Sequence, residues 1–270
     1  MNQDQIVLLL VGRTGNGKSS TGNSILREKL FTPHGVWEQT SVETPVKHNA
    51  GSITVVDGSG IGDTGEDLIG GESAAIKSCD LAFELCGMFF TAIILVLKYG
   101  VRFTKQEKDA VRIIKFLFGE DVLKRWGIII MTYGDNFEKE IFEKDNFKDS
   151  FKKDNFMEDN LEGDKTEQFK SWCNEQRGDF KTVFEECNKR CVLFDNRTQN
   201  TSIKEYQLKW LQYGLQNLES GLYTKDHYSV AVSKRPKPND APTYDPMEQA
   251  RRYIKCRVGD YDEILAGLKE

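Results

Sequence analysis

A glycine-rich segment directly after an apolar run constrains this chain more than any other feature. Residues 6–11 read IVLLLV and residues 12–19 read GRTGNGKS, which matches the pattern G-x-x-x-x-G-K-S. A buried strand followed by glycines and a helix start turns backbone N–H groups toward a polyphosphate, and the helix N-terminus adds partial positive charge. The sequence therefore predicts a phosphate-binding loop made of Gly12, Arg13, Thr14, Gly15, Asn16, Gly17, Lys18, Ser19 and Ser20.

Two side chains of this loop carry the chemistry. In such a loop the lysine, here Lys18, neutralises the β- and γ-phosphates, and the hydroxyl, here of Ser19, ligates Mg²⁺. An ordinary glycine-rich turn is the alternative interpretation. The strand before the loop and the helical character of residues 20–28 after it argue against that alternative.

Composition narrows the class of protein. With 270 residues and 39% hydrophobic content, the chain is long enough for one packed domain with appendages. A formal net charge of −5 argues against nucleic acid as a partner. The six cysteines form no C-x-x-C pair, no apolar signal region precedes the first strand, and the longest apolar run, Met88 to Leu97, is too short to cross a bilayer. We therefore expect a soluble, cytoplasmic protein with reduced thiols.

Apolar strands alternate with helical segments along the chain. This order, with the phosphate loop at the first strand–helix junction, predicts a three-layer α/β fold of the P-loop NTPase type with a mainly parallel sheet. After the loop we expect helix 20–30, a hairpin of strands 44–49 and 52–56 across Ala50-Gly51, helix 72–86, strand 88–97, a helix from the N-cap Thr104 with a capping box to Glu107 and a stop at Gly119, strand 126–131, helix 165–186, strand 190–194 and helix 202–218.

Polar residues follow the second strand of the predicted hairpin, residues 52–56. Asp57-Gly58-Ser59-Gly60 places a carboxylate where it can hold Mg²⁺ through water, and the Gly60 N–H where it can contact a γ-phosphate. The polar loop of residues 31–43 is expected to supply one more oxygen to the metal. Thr40, Ser41 and Thr44 are the alternatives, and Thr40 is our candidate metal ligand beside Ser19 and Asp57.

Two further strand ends complete the predicted site. Strand 126–131 ends in Thr132-Tyr133-Gly134-Asp135, and the last strand delivers Asp195-Asn196-Arg197. The carboxylate of Asp135 can accept hydrogen bonds from N1–H and the exocyclic amine of guanine, which adenine does not offer. Because ligands bind at the carboxyl ends of parallel strands, we expect all these segments to converge.

Two regions depart from the core pattern. Residues 138–164 are charged, with an imperfect repeat of spaced phenylalanines, and we interpret them as a surface insertion, flexible or weakly helical, with docking of a partner as the weaker alternative. The core domain is expected to span residues 1–220. Residues 221–270 form a proline-rich tail in which Met247 to Arg257 fits a short helix, whose basic face could touch a membrane although solvent exposure is the simpler interpretation.

Longer motifs add a resemblance to a known family. Residues 11–26 read VGRTGNGKSSTGNSIL, and residues 95–104 read LVLKYGVRFT, with Phe118-Gly119-Glu120 after them. Over roughly residues 5 to 220 the chain resembles the AIG-type GTPases, called GTPases of immunity-associated proteins in vertebrates. The segment TGNSIL is far more specific than the phosphate loop alone.

The resemblance implies a function and a set of site residues. It implies binding of GTP or GDP with Mg²⁺, base reading by Asp135 with Asn196 beside it, dimerisation through the switch surfaces when nucleotide is bound, and a role in immune or stress responses. The family's switch threonine falls around Val42-Glu43 in this chain, so Thr40 or Thr44 must substitute for it or the contact is absent, and the charged insertion also departs from the family. The chain departs at two nucleotide motifs as well. It has Asp57-Gly58-Ser59-Gly60 where relatives have Asp-Thr-Pro-Gly, and it has Tyr133 where relatives carry a basic residue or histidine, so that Tyr133 could instead stack on the base.

The residues after Gly60 bear on catalysis. Ras-like enzymes place a glutamine there to orient water, whereas this chain has Ile61-Gly62, so we expect slow turnover. If hydrolysis is appreciable, Arg13 or Arg102 is the candidate for a group supplied across a dimer. The alternatives are a scaffold that binds GTP without hydrolysing it, a P-loop kinase, for which a lid with several arginines is missing, and an ATPase, which Asp135 and Asn196 disfavour.

Overall fold

A six-stranded sheet forms the centre of the computed structural model, which describes residues 5–32, 45–58, 61, 71–140 and 161–235. Two more short strands pair with each other outside this sheet. The strands in chain order are β1 (Ile6–Val11), β2 (Val46–Ala50), β3 (Ile53–Asp57), β4 (Phe89–Phe90), β5 (Ala92–Lys98), β6 (Gly127–Thr132), β7 (Cys191–Leu193) and β8 (Tyr223–Thr224).

Helices connect and cover the strands. In chain order the described helices are α1 (Lys18–Leu26), α2 (Gly71–Leu85), α3 (Lys105–Phe118), α4 (Val122–Trp126), α5 (residues 134–140), α6 (Leu161–Glu175), α7 (Gly178–Glu186), α8 (Thr201–Gln216) and α9 (Lys225–Ser233).

The register of the sheet brings the strand ends to one edge. The strand order is β2-β3-β1-β5-β6-β7, and only the β2–β3 pair is antiparallel. Leu10 lies opposite Asp57, and Lys98 lies opposite Thr132. The predicted α/β fold with a mainly parallel sheet is confirmed, and its carboxyl edge is the place where a ligand is expected.

Each face of the sheet has its own hydrophobic core. Helices α1 and α8 cover one face, with Ile25 and Leu211 packed on Leu8 and its neighbours. The other face carries α2, α3, α4, α6, α7 and α9, whose buried side chains include Phe83 and Ile114. The three layers follow from the central strands, because β1, β5 and β6 are buried on both faces and must be covered twice.

Local sequence signals set several element ends as expected. The hairpin turns at Gly51, which has a φ of 58°. Helix α3 begins after Thr104 with the capping box to Glu107, and Gly119 caps its end. These signals are short-range hydrogen-bonding patterns, so the sequence alone contains them.

Several boundaries differ from the expected ones. Helix α1, expected over residues 20–30, covers Lys18–Leu26. Residues 88–97 do not form one strand, because Thr91 joins β1 through its N–H to the Val7 carbonyl (2.7 Å) while β4 leaves the sheet to pair with β8. Trp126 ends α4 instead of starting a strand. The expected helix 165–186 is two helices, since Arg177 is extended and Gly178 has a φ of 69°.

The packed unit continues past residue 220, where the sequence placed its end. Tyr223 is 1% exposed and stacks on Phe90 with their ring centroids 4.4 Å apart, and Tyr228 of α9 is also buried. Arg235 donates from Nη2 to the Leu117 carbonyl (2.8 Å). No local pattern indicates this, because the rings that Tyr223 and Tyr228 contact, such as Phe90 and Phe83, lie far upstream in the chain.

Some expectations fall on residues that the structure does not describe. Residues 141–160 of the charged insertion and residues 236–270, with the helix expected over 247–257, lie outside the described ranges. The ends of the insertion belong to helices, because residues 138–140 lie in α5 and residues 161–164 lie in α6. Among the described helices, none has the length and apolar character needed to cross a membrane.

Candidate nucleotide-binding site

The phosphate loop has the backbone shape that its glycines allow. Gly12, Gly15 and Gly17 have φ values of 131°, 84° and 93°, which other residues rarely adopt. A Cβ at Gly12 would lie 2.5 Å from the Val96 carbonyl oxygen. Helix α1 begins at Lys18 directly after this loop. The free N–H groups at a helix start favour a bound anion, so a phosphate fits in the concave side of the loop.

Lys18 lies at the centre of the loop. Its side chain is buried, with the residue 5% exposed, and Nζ donates to the Gly12 carbonyl oxygen at 2.8 Å. A buried ammonium group held by one carbonyl is positioned to pair with an anion. Thr14 and Gly15 at the tip of the loop are exposed, and Ser20 is half-buried in the first turn of α1.

Ser19 and Asp57, the two expected metal ligands, lie in contact with each other. The Ser19 hydroxyl donates to Oδ2 of Asp57 at 2.7 Å, and Asp57 is 3% exposed at the end of β3. A hydroxyl and a carboxylate are the oxygen ligands that Mg²⁺ prefers, so these residues fit that ion. The other expected contributors, Thr40 with its alternatives Ser41 and Thr44, and Gly60, lie outside the described residues.

Thr132 and Asn16 join the phosphate loop to the sheet. The Thr132 hydroxyl lies 2.9 Å from the Asn16 carbonyl oxygen and 3.1 Å from that of Leu97, and the Asn16 amide donates to the Val96 carbonyl at 3.1 Å. Both side chains are buried. Their polar atoms bond to backbone carbonyls of the loop and of β5, so these two side chains hold the loop against the sheet.

Asp135 carries a buried polar atom that has no hydrogen-bond partner among the described residues. Its Oδ2 lies 3.4 Å from Nζ of Lys139, whereas Oδ1 is buried and has no hydrogen-bond partner among the described residues. A buried, unsatisfied carboxylate oxygen is costly, because the group lost its water without gaining a donor. The atom therefore indicates where a ligand donates a hydrogen bond.

Tyr133 adopts a left-handed backbone conformation, with a φ of 61°, and its ring contacts two cations. Nζ of Lys98 lies 4.3 Å from the ring centroid, and the guanidinium carbon of Arg197 lies 5.6 Å from it. Cation–π attraction thus connects the ends of three neighbouring strands around this ring. The sequence did not identify Lys98 or Arg197 as its neighbours.

The last strand end reaches the site through Gly134 and Asn196. The Gly134 N–H donates to the Phe194 carbonyl at 3.0 Å, and a Cβ at Gly134 would lie 3.0 Å from the Asp195 nitrogen. Asn196 bonds to α1 with both ends of its amide, to Thr21 (3.0 Å) and from Ser24 (2.8 Å). Asn196 therefore lies beside the phosphate loop as well as beside the Asp135 segment.

The two arginines considered for catalysis have different surroundings. Arg13 donates from Nη1 to Oε1 of Glu107 at 2.8 Å, whereas Arg102 is exposed in the loop before α3. Burial raises the pKa of the Glu107 carboxyl, but hydrogen bonds from Thr104 and Arg13 outweigh burial and leave that pKa below its usual value. Sequence reasoning found Glu107 only as a helix cap and missed its contact with the phosphate loop.

Ile61 follows the Asp57–Gly60 segment and is fully buried. Its carbonyl oxygen accepts from the Gly12 N–H at 3.3 Å, and its own N–H donates to the Gly58 carbonyl at 2.9 Å. The side chain of Ile61 therefore belongs to the core and is apolar, so it cannot hold a water molecule in the site.

The fold and the site together define a protein of the P-loop nucleotide-binding class. Comparison with known proteins gives the family. The model of the AIG1 family matches residues 6–158, and the chain belongs to that family.

A relative by sequence agrees with this assignment, and solved structures with little sequence identity are similar in fold. The chain is 31% identical over 195 residues to the Immune-associated nucleotide-binding protein 12 of Arabidopsis thaliana, a match that covers 71% of this chain and 42% of the relative. The chain thus spans less than half the length of that relative. Toc33 from Arabidopsis thaliana, solved as a dimerization-deficient mutant, has a TM-score of 0.50 at 14% identity over 83% of this chain and 89% of Toc33. Toc33 in complex with GDP and Mg²⁺ has a TM-score of 0.46 at 16% identity, with coverage of 83% and 89%.

Proposed function

We propose that this chain binds GTP and GDP with Mg²⁺ and acts as a slow, dimer-forming GTPase switch in the cytoplasm, in an immune or stress response. The observation that carries the nucleotide assignment is Oδ1 of Asp135, which has no partner within the described ranges and lies at the same sheet edge as the phosphate loop. A guanine base offers N1–H and an exocyclic amine, which are the donors that this carboxylate lacks. The names of the relatives, nucleotide-binding and immune-associated, support the proposal.

At the phosphate end, the chain's own groups bind and orient the nucleotide. Backbone N–H groups of the loop and of the first turn of α1 would face the phosphates, and Nζ of Lys18, which donates to the Gly12 carbonyl, has further donors for the phosphate oxygens. Ser19 and Asp57 would hold Mg²⁺, with Thr40 as the proposed third contributor. The ion, when bound, neutralises charge on the β- and γ-phosphates.

Hydrolysis requires a water molecule in line with the γ-phosphate. The buried, apolar Ile61 stands where Ras-like enzymes place a glutamine, which supports slow intrinsic turnover. We propose that an arginine from a second copy of the chain completes the catalytic site. Arg102 suits this role better than Arg13, because Arg102 is exposed while Arg13 is paired with Glu107. The dimer itself is suggested by Toc33, of which a dimerization-deficient mutant has been solved.

A scaffold that binds GTP without hydrolysing it is the second candidate, and the buried Ile61 favours it. The two candidates differ in one measurement, which is GTP turnover at increasing protein concentration beside sedimentation with GDP and with a non-hydrolysable GTP analogue. Specific activity that rises with concentration, with dimers only in the triphosphate state, identifies a GTPase completed by its partner. Dimers without turnover identify the scaffold.

The choice of base is tested separately. Excess ATP should not displace labelled GDP from the full chain, whereas excess GTP should displace it completely. Displacement by ATP would contradict the guanine assignment but would agree with the phosphate-loop assignment.

A further inference from the structure

One buried carboxylate connects the phosphate loop to helix α3. The ion pair between Nη1 of Arg13 and Oε1 of Glu107 measures 2.8 Å, and the Glu107 side chain is only 8% exposed, against 35% for Arg13. A partly buried, hydrogen-bonded ion pair is screened less by solvent than a surface pair, so its geometry is better defined.

The second oxygen of Glu107 is fixed by the helix start. Oε2 accepts from the Thr104 N–H at 2.9 Å and from the Thr104 hydroxyl. The carboxylate is therefore held from two sides, by the first turn of α3 and by Arg13. Because the Thr104 N–H is a backbone donor, it holds Oε2 even without the Thr104 hydroxyl, and the glutamate in turn restricts where the Arg13 side chain can lie.

Arg13 is adjacent to the residue that holds Lys18. The Gly12 carbonyl accepts from Nζ of Lys18 at 2.8 Å, and the Gly12 N–H donates to the Ile61 carbonyl. A rotation of the peptide between Gly12 and Arg13 would move that carbonyl away from Lys18. The position of Arg13 thus decides the shape of the loop at its charged centre.

We propose that Glu107 is a positioning residue of the nucleotide site, which holds the phosphate loop in its binding shape through Arg13 and so sets the rate at which nucleotide leaves. Glu107 itself touches no ligand in this arrangement. The inference rests on the proposed function, because it concerns the release of a nucleotide from this site. It also gives α3 and the exposed loop before it, where Val101 is 53% exposed, a direct connection to the phosphate loop.

The test measures release of fluorescently labelled GDP from the full chain. Glu107→Gln and Arg13→Gln should each speed release on the order of tenfold, the usual size of coupling between neighbouring sites. The double variant should release GDP no faster than either single variant, because both changes break the same ion pair.

Two control variants separate this role from general helix stability. Thr104→Ala removes the capping hydroxyl and leaves the Arg13 pair, and Glu186→Gln breaks the pair with Lys115 on the same helix away from the loop. Both should change release by less than about twofold. Release from Thr104→Ala as fast as that from Glu107→Gln would overturn the proposal, since capping alone would then explain the effect.

The remaining outcomes are also decisive. Unchanged release from Glu107→Gln, with GDP still bound by the wild type, overturns the inference and leaves the proposed function standing. Failure of the wild-type chain to bind GDP overturns both the inference about Glu107 and the proposed function. If Glu107→Gln does not fold, as thermal unfolding would show, Arg13→Gln decides the question, because Arg13 is one third exposed and its removal leaves the α3 cap in place.

Discussion

The phosphate end and the base end of the site satisfy their polar groups in different ways. At the phosphate end, residues 12–19 with Asp57, Lys18 bonds to Gly12 and Ser19 bonds to Asp57. At the base end, residues 132–135 with 195–196, the Oδ1 atom of Asp135 has no partner among the described residues. The phosphate end is thus bonded within the chain, whereas the base end needs a donor from outside.

This difference has a consequence for selectivity. A ligand at the phosphate end replaces bonds that the chain already makes, so any polyphosphate of suitable charge gains a similar amount there. A ligand at the base end supplies a bond that is otherwise missing, and a base without the right donors leaves Asp135 unsatisfied. Affinity should therefore come mainly from the phosphate end and discrimination from the base end.

The largest effect is expected for Lys18→Ala. Removal of a buried charge that pairs with phosphate should weaken binding of GTP and GDP by a factor of about 200 to 5000, because breaking such a pair costs about 3–5 kcal/mol. Isothermal titration with GDP measures the change. Lys170→Ala, on the surface of α6, serves as the control and should bind normally. Retained affinity in Lys18→Ala would reject the phosphate-loop assignment.

Asp135→Asn should affect the base end alone. Guanine affinity should fall by about 100-fold, since two charge-assisted hydrogen bonds are lost, and xanthine nucleotides should gain, because their second carbonyl can accept from the new amide. Competition between GDP and XDP is the measurement. Asp195→Asn is the matched control, since its Oδ1 accepts from the Arg197 and Thr198 N–H groups and faces no base in our assignment. An unchanged base preference in Asp135→Asn would remove the base-reading role.

Gly134→Ala tests whether the base end and the phosphate end bind independently, because it disturbs packing at the base end alone. Its Cβ would lie 3.0 Å from the Asp195 backbone nitrogen, so the backbone after β7 must shift by a few tenths of an ångström, which should cost about 1–3 kcal/mol of folding free energy. Discrimination between GDP and ADP should fall with it, while binding of inorganic triphosphate should stay unchanged. Gly221→Ala, which has open space around its Cβ, should be neutral in thermal unfolding. Equal loss of both kinds of binding would show that the two ends do not act separately.

The smallest effect concerns acid stability. The folded pKa of Glu107 lies below the ordinary value of 4.5, so its stabilising contribution is present above that pH and is lost as the pH falls through the folded pKa. The wild type should therefore lose stability below about pH 4.5 more steeply than Glu107→Gln, as urea unfolding at several pH values will record. Parallel curves would mean that Glu107 does not gain its bonds on folding.

Much of the phosphate end could be predicted because it is contiguous. Strand, glycine turn, lysine and helix start follow one another within fourteen residues, from Ile6 to Ser19, and each has a local physical signature. The capping box at Thr104 and the turn at Gly51 were predictable for the same reason. The sequence indicated Asp57 and Asp135 as well, since each directly follows a recognisable strand.

The contacts between distant segments could not be predicted in this way. The Arg13–Glu107 pair, the cations on Tyr133 and the bonds from Asn196 to α1 each join residues far apart in the chain. Tyr223 belongs to the core only because β4 and β8 pair. A single sequence carries no pairing information of this kind.

The sequence by itself determined the α/β class, the phosphate loop and the strand ends that converge on it, because apolar periodicity and glycine positions act over a few residues. Only the tertiary structure decided which polar groups are satisfied: that Glu107 holds Arg13, that Asn196 bonds to α1, and that Oδ1 of Asp135 finds no donor in the part of the chain that the structure describes. Hydrogen-bond satisfaction depends on which segments meet in space, and strand order and register, which the sequence leaves open, decide that.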